Sequence, residues 1–574
     1  MPETTTQTPA AQRGLARFLP ILHWLPHYDR TWLRADVVAG VTVAALVVPK
    51  ALGYAGIANV PIQHGLYAAA AGAILYALFG TAKQIATGPS SALAAVAGSA
   101  VLLSGLPDDE AVTLVAAITL ITGILFLLLA LFRMGWISQF LSRAVITGFL
   151  FGAAIEVVIG ELPKLTGTSI EGSNSWRKLG SWLTTLDDVD GETLLVGVVS
   201  LVVILGIRFS KSRVPGALVL VVGGLVVSAA LGFDERGIAL VGDVPRGFVV
   251  PALPDVAFVI DNLPVIGPAA VGLLLIGFSQ TAGDAREFAS RHRYRIDINQ
   301  ESVAQGMSNV GSGLVQGIPV STSLSASSLN DESGAQTSVA SLVTGVIIVL
   351  TLLILAPLFS DLPKAVLGAL IIDAVVFGMM NVPEMRRLHR VARVDFWIAV
   401  AAIVGVLSAG VLAGVIIGVV LSIVWLIYLA ATPHMPVLGQ KPGTQVFRSI
   451  EEYEDGRTYP GLLVLRIDAA LHFVSSEALE DRLRELAQQA ETRYHTAVLD
   501  FEGVNFIDSQ GSSTVAEVLE LAESYGAEVR LTRVKPTVLG MLRRDGVIDR
   551  LGEDKVFGNV YNAVVDKLPG DALA

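Results

Sequence analysis

From about Asp36 to Thr432 the chain is a succession of apolar runs, many of roughly 18 residues or more, the length of helix that crosses the hydrocarbon core of a bilayer. Lipid offers a backbone amide no partner, so each spanning segment must satisfy its own hydrogen bonds as a helix. The runs suffice for about a dozen to fourteen spans, several of them broken: the first, Asp36 to Asn59, is expected to be interrupted by Val48-Pro49-Lys50, a Gly-rich segment from Gly306 to Gly317 leads to Pro319, and Val411–Ala431 is expected as the last span. With 53% of its 574 residues hydrophobic and only 16% charged, most of the chain belongs in lipid rather than water.

Two breaks carry chemistry. Gly317 to Asn330 is rich in hydroxyls, has no charged side chain and opens with Pro319 between apolar runs; Gly88 to Ala95, with Pro89, Ser90 and Ser91, is built the same way. Polar backbone at membrane depth is tolerated where it lines a cavity or is buried in protein. Proline suits the first turn of a helix, so both segments predict short helices starting inside the membrane. Helix N-termini offer unpaired N–H donors and partial positive charge, so two of them predict a cradle for an anion.

The breaks recur in register. Lys50 precedes Pro89 by 39 residues, and Gln280 precedes Pro319 by the same 39. Paired broken helices at matching positions of two halves point to an inverted-repeat secondary transporter with its site near the midplane. Seven spans per half, an odd number, would invert the second half. With the N-terminus inside, the inner loops carry Lys83, Arg133 and Arg143, then Arg208, Lys211 and Arg213, then Arg286 to Arg295, then Arg386, Arg387, Arg390 and Arg393, while the intervening loops at Ile57–His64, Pro107–Glu110 and Ser408–Gly410 have none. This predicts both termini in the cytoplasm of a multi-pass cell-membrane protein. Residues 1–35 hold Arg13, Arg17, Arg30 and Arg34 without a signal-peptide core, so the first span is expected to stay.

After Pro436 the composition changes. Leu462–Ile467, Ala497–Phe501 and Glu528–Leu531 read as strands, Ser476–Ala490 and Ser512–Tyr525 as amphipathic helices, together a small α/β domain. The expected division is a cytoplasmic arm at 1–35, a transport domain at 36–432 and a soluble domain at 433–574. There is no Cys, the net charge is −11, and no phosphate loop, nucleophile elbow or basic aromatic platform occurs. An enzyme, a metal site and a nucleic-acid partner are therefore not expected.

Several stretches carry a family resemblance. Asp36-Val37-Val38-Ala39-Gly40 with Val48-Pro49, Gly65-Leu66-Tyr67-Ala68, Ala77-Leu78-Phe79-Gly80-Thr81, Gly88-Pro89, and Ser323-Leu324-Ser325 with Asn330 resemble the sulfate permease family, bacterial relatives of the solute carrier 26 anion transporters. The tail, with Val504 to Gly511, is similar to a STAS (sulfate transporter and anti-sigma factor antagonist) domain. The resemblance implies an all-α membrane domain of fourteen spans in two inverted repeats of seven with two half-helices, an anion site between the half-helices and spans 1 and 8, and a cytoplasmic STAS domain, often in a homodimer. The chain departs from many members in having Ala326 where they carry Arg, Lys50 where they carry Gln, and Gln280 where they carry an acid, with Asp284 one turn further on.

The expected substrate-binding residues are Lys50, Ser90, Ser91, Gln280, Ser321, Thr322 and Ser323. A lysine inside a span costs about 3 kcal/mol on insertion scales and should face a cavity or partner, unless it snorkels to the boundary. The serines could instead be small residues that let helices pack closely. Asp284 has two readings, a loop acid beside Arg286 or the ion-coupling carboxylate, pairing Lys50 or taking a proton. Glu156 and Asp373, in the middle of apolar runs, fit structural pairing across helices as well as a proton path. In the tail, Gln510 stands directly before Gly511, where the anti-sigma antagonists' phosphorylated Ser falls, so Ser509 favours a scaffold over a phosphorylation switch. The function expected is secondary active transport of a small inorganic anion, sulfate by family name, with a coupling proton or sodium ion and no other cofactor. Bicarbonate or a dicarboxylate is an alternative substrate, and an uncoupled channel or sensor an alternative mode; the STAS-like tail weighs against nucleobase uptake.

Overall fold

The computed structural model describes residues 19–134, 142–172, 174–210, 215–247 and 249–569. Arg13, Arg17, Lys211 and Arg213, which entered the charge argument, lie outside the described residues. The chain separates into two compact units, Met1–Ser422 and Ile423–Ala574.

The first unit is helical. A short α1 (Ile21–Trp24) precedes α2 (Leu33–Ile57) and α3 (Gln63–Phe79); strand β1 (Thr87–Pro89) feeds α4 (Ser91–Ser104), and α5 (Asp108–Leu131) follows. Next come α6 (Arg143–Thr166), the amphipathic α7 (Ser175–Thr184), α8 (Gly191–Phe209) and α9 (Gly216–Leu231). After α10 (Val256–Asp261), the order of long helix, helix, strand, helix, helix recurs as α11 (Leu263–His292), α12 (Ile298–Leu314), β2 (Val320–Thr322), α13 (Leu324–Glu332) and α14 (Val339–Leu350). The unit is completed by α15 (Lys364–Met379), α16 (Val382–Val391), α17 (Arg393–Ala409) and α18 (Val411–Ala431), within which the division between units falls. Among the described residues, 8 helical stretches are long and apolar enough to cross a membrane, and α4 and α9 are apolar but shorter.

Three local expectations are corrected. The first span is not interrupted at Val48-Pro49-Lys50, because α2 runs unbroken through Pro49. Neither proline opens a helix: Pro89 ends β1, and Pro319 precedes β2, four residues before the N-cap Ser323. The Gly-rich segment before Pro319 is the end of α12, which has no apolar run because it faces protein on most sides. Its Glu301, Ser302, Gln305, Ser308, Asn309 and Ser312 are all buried. Glycine here allows backbones to meet: a Cβ on Gly123 of α5 would lie 2.6 Å from the Val310 amide nitrogen of α12. Close approach through small residues is how helices associate where no hydrophobic effect drives them together.

The second unit carries a hairpin, β3 (Leu438–Gln440) with β4 (Phe447–Ser449), and a parallel sheet in the order β5 (Leu462–Arg466), β6 (Thr496–Asp500), β7 (Glu528–Thr532), β8 (Val556–Phe557). Alternation along β5 splits its side chains between two cores. Leu463 and Leu465 join Leu499, Leu531 and residues of α19 (Ser476–Gln489), α20 (Ser509–Ser524), α21 (Pro536–Arg544) and α22 (Val547–Leu551) on one face. Leu462 and Val464 join Val498 and α23 (Val560–Val564) on the other. Covering both faces is what a parallel sheet requires. The three strands and two helices expected from the sequence are present within a few residues; the hairpin, β8 and the last three helices had no comparable signal.

Candidate anion site

The two breaks meet. β1 pairs antiparallel with β2, Gly88 opposite Ser321 and Thr87 opposite Thr322, so both half-helices, α4 and α13, begin where the chains cross. The crossing is bolted into the helices around it. On α12, Asn309 accepts from the Val320 N–H at 3.0 Å and donates to the Val320 carbonyl at 3.0 Å, so a side-chain amide stands in for a third strand. Ser327 accepts from the Ala86 N–H at 2.9 Å, and Asn330 donates to the Gln84 carbonyl at 3.0 Å.

Beside the crossing lies a small, partly open cavity lined by Val47, Lys50 and Ala51 of α2, by Ala86 to Pro89, and by Ser323 and Ala326. The Lys50 ammonium donates to Ser325 Oγ at 3.0 Å, and Ser325 lies 3.3 Å from Ser323 Oγ. Lysine therefore reaches across the cavity to the first turn of α13. At α4 the N-cap Ser90 makes no capping bond; its hydroxyl turns to Gln280 Oε1 at 3.5 Å. The first N–H groups of a helix have no intrahelical acceptor, and no side-chain cap satisfies those of α4. Ser91 is the first residue of α4.

The other expected site residues sit behind this lining. Ser321 is fully buried in β2 and donates to the Gly277 carbonyl at 3.4 Å. Thr322 donates to Asp284 Oδ2 at 2.7 Å, so Asp284 is neither free in a loop nor paired with Lys50 but held at the base of α13. Of the two unexplained acids, Asp373 on α15 accepts a bidentate pair from Arg208 of α8 at 2.7 and 2.6 Å. Glu156 keeps a buried carboxylate oxygen without a partner among the described residues.

Ser325, Asn309 and Gln305 were not picked out from the sequence. Ser325 stands inside Ser323-Leu324-Ser325, two residues from an expected member. Asn309 lies in the Gly-rich segment before Pro319 and Gln305 directly ahead of it, where nothing marked them. In the second unit, Asp508 caps α20 by accepting from the Gly511 N–H at 2.8 Å and separately accepts from the Phe473 N–H at 3.0 Å; Ser509 is the first residue of that helix.

Residues 33–402 match the sulfate permease family and residues 455–566 the STAS domain. A probable sulfate transporter of Mycobacterium tuberculosis is 33% identical over 538 residues, 94% of this chain and 96% of the relative. The probable sulfate transporter 4.2 of Arabidopsis thaliana is 30% identical over 567 residues, 95% of this chain and 83% of the relative. Among solved structures, the murine solute carrier 26 family member A9 anion transporter in the inward-facing state superposes with a TM-score of 0.87 at 23% identity, covering 98% of this chain and 96% of that one. The transmembrane domain of a cyanobacterium bicarbonate transporter gives a TM-score of 0.60 at 22% identity, covering 69% and 98%.

Proposed function

As the chain belongs to the sulfate permease family, we propose that it carries a small inorganic anion, sulfate first, across the cell membrane as a secondary active transporter coupled to protons or sodium ions. The observation that carries this reading is the convergence of Lys50, the strand that leads into α4 and the start of α13 on one cavity beside the β1–β2 crossing. A tetrahedral dianion accepts from backbone N–H groups, hydroxyls and an ammonium alike, and each of these is supplied from a different element. In this reading Ser90, Ser91, Ser323 and Lys50 hold the anion. Gln280, Ser321 and Thr322 orient the crossing. Asp284 takes the coupling ion, and its bond to Thr322 ties its protonation to the start of α13.

The arrangement proposed is fourteen spans in two inverted repeats, supported by the recurring element order and by the antiparallel crossing of the two breaks. Both ends lie in the cytoplasm, with the arm at 1–35, the transport domain at 36–432 and the STAS domain at 433–574, and two copies form a homodimer. The relatives' names support sulfate, and the name of the cyanobacterium structure supports bicarbonate as the second choice. The test is uptake into proteoliposomes offered sulfate, bicarbonate or a dicarboxylate, with and without imposed proton and sodium gradients. Saturable sulfate uptake that stops when the gradients collapse is expected; rapid conductance indifferent to them would replace the transporter with a channel.

A further inference from the structure

Helix α16 lies between α15 and α17 and is unlike its neighbours. At 10 residues it is about 15 Å long, too short to cross a membrane. Its sequence is amphipathic: Leu388 is buried against Ala144 and Ala399, with Met385 and Phe396 packed around them, while the opposite face is basic. This places α16 along the membrane surface.

A wide, open pocket lies against it. Arg386, Arg390 and Arg393 with His389 form its polar side; Phe151 of α6, Met385 and Phe396 form its apolar side. The carboxylates nearby are Glu384 and Asp395. Glu384 is occupied by the bidentate pair it accepts from Arg387, both bonds at 2.7 Å, and is also approached by Arg143; Asp395 acts on Arg387. Arg386, Arg390 and Arg393 are exposed and have no ion pair among the described residues, so the cavity holds unneutralised positive charge. Next to the arginines in the chain, Val391, Val394 and Trp397 are exposed, Trp397 by 65%.

We infer that this cavity binds the headgroup of an anionic phospholipid, with its phosphate on Arg386, Arg390 and Arg393 and its upper acyl chain against Phe151 and Phe396. Two features favour lipid over a free inorganic anion. An inorganic anion has no use for an apolar wall, and the wall belongs to helices that enter the bilayer. Basic pockets between spanning helices at the cytoplasmic surface are suited to such headgroups, and guanidinium matches phosphate geometry. The leaflet is the cytoplasmic one if the orientation proposed above holds; the binding itself does not depend on it.

The test uses the full-length protein in neutral detergent, titrated with phosphatidylglycerol or phosphatidylcholine and read by native mass spectrometry. Phosphatidylglycerol should be retained in preference to phosphatidylcholine. Each Arg→Gln change should weaken it about fivefold and the triple variant Arg386→Gln, Arg390→Gln, Arg393→Gln on the order of a hundredfold. Sulfate uptake by that variant in vesicles of phosphatidylcholine alone should equal the parent's, which also shows that it folds. The triple Arg→Lys variant should keep most of the affinity. Phosphatidylglycerol bound equally by the parent and the triple Gln variant would overturn the proposal, as would loss of binding in the Lys variant or displacement of the lipid by millimolar inorganic phosphate.

Discussion

Replacing Lys50 by Met keeps the length and apolar stem of the side chain and removes only the ammonium. In the structure that ammonium reaches Ser325 Oγ at 3.0 Å across the cavity. At about 4 Å and an effective dielectric of about 20, one pair of unit charges interacts by about 4 kcal/mol, so the gross term with a dianion is about 8. Most of this is cancelled by desolvation, and truncating one partner of a desolvated charge pair costs about 2–5 kcal/mol, roughly thirtyfold to several-thousandfold in affinity. The folded protein should not suffer, because a lysine inside a span is itself costly by about 3 kcal/mol. Lys50→Met should therefore raise the KM for sulfate at least about thirtyfold in proteoliposomes, with an unfolding midpoint in detergent equal to the parent's or higher. Ser325→Ala should raise KM only about fivefold, the worth of one hydrogen bond. A KM for Lys50→Met within threefold of the parent, in a protein that still transports, would refute the placement of the anion beside Lys50.

Asn309→Leu leaves the Val320 N–H without its acceptor and the Val320 carbonyl without one of its donors; it should cost about 1–3 kcal/mol, read as a lower unfolding midpoint together with reduced uptake. Asp373→Asn should destabilise by about 2 kcal/mol, below the value for a fully buried pair because the Arg208 side chain is 40% exposed. In a double-mutant cycle, adding Arg208→Gln should cost little more, and additivity would refute the pairing. In the tail, the Arg530 guanidinium donates to Asp566 at 2.5 and 2.8 Å and, outweighing partial burial, lowers its pKa to about 2. A depressed carboxylate pKa adds stability above the unfolded value near 3.8 and loses it as pH falls through about 2. Because Asp566 is half exposed, solvent screening limits its worth to about 1 kcal/mol. Asp566→Asn should lower hydrogen-exchange protection of β7 by that amount at pH 6, and the difference should shrink between pH 4 and pH 2.

Where the helices face lipid, their positions were readable. Val411–Ala431 was expected at the bounds it has, because a lipid-facing span must be apolar over its whole length. α12 was missed for the complementary reason: wrapped by other helices, it carries Asn309, Gln305 and Ser308 as internal partners and has no apolar run to detect. Pro49 misled because proline usually breaks a helix, yet within α2 neighbouring helices tolerate it. That a half-helix begins in each of these segments was legible because breaks are local; the starts at Ser91 and Leu324, after rather than at the prolines, were not.

From the amino-acid order alone follow the bilayer as solvent, the two interrupted segments rich in hydroxyls, and the separate α/β tail, since span length, helix starts and strand alternation depend on neighbours in the chain. The three-dimensional packing alone decided what those segments touch. Lys50 and Ser325 are 275 residues apart, Thr322 rather than Lys50 holds Asp284, and Arg208 pairs with Asp373 from 165 residues away. A buried polar group must have a partner, but several in this sequence could have served each one, and only the crossing of the two chains brings one within reach.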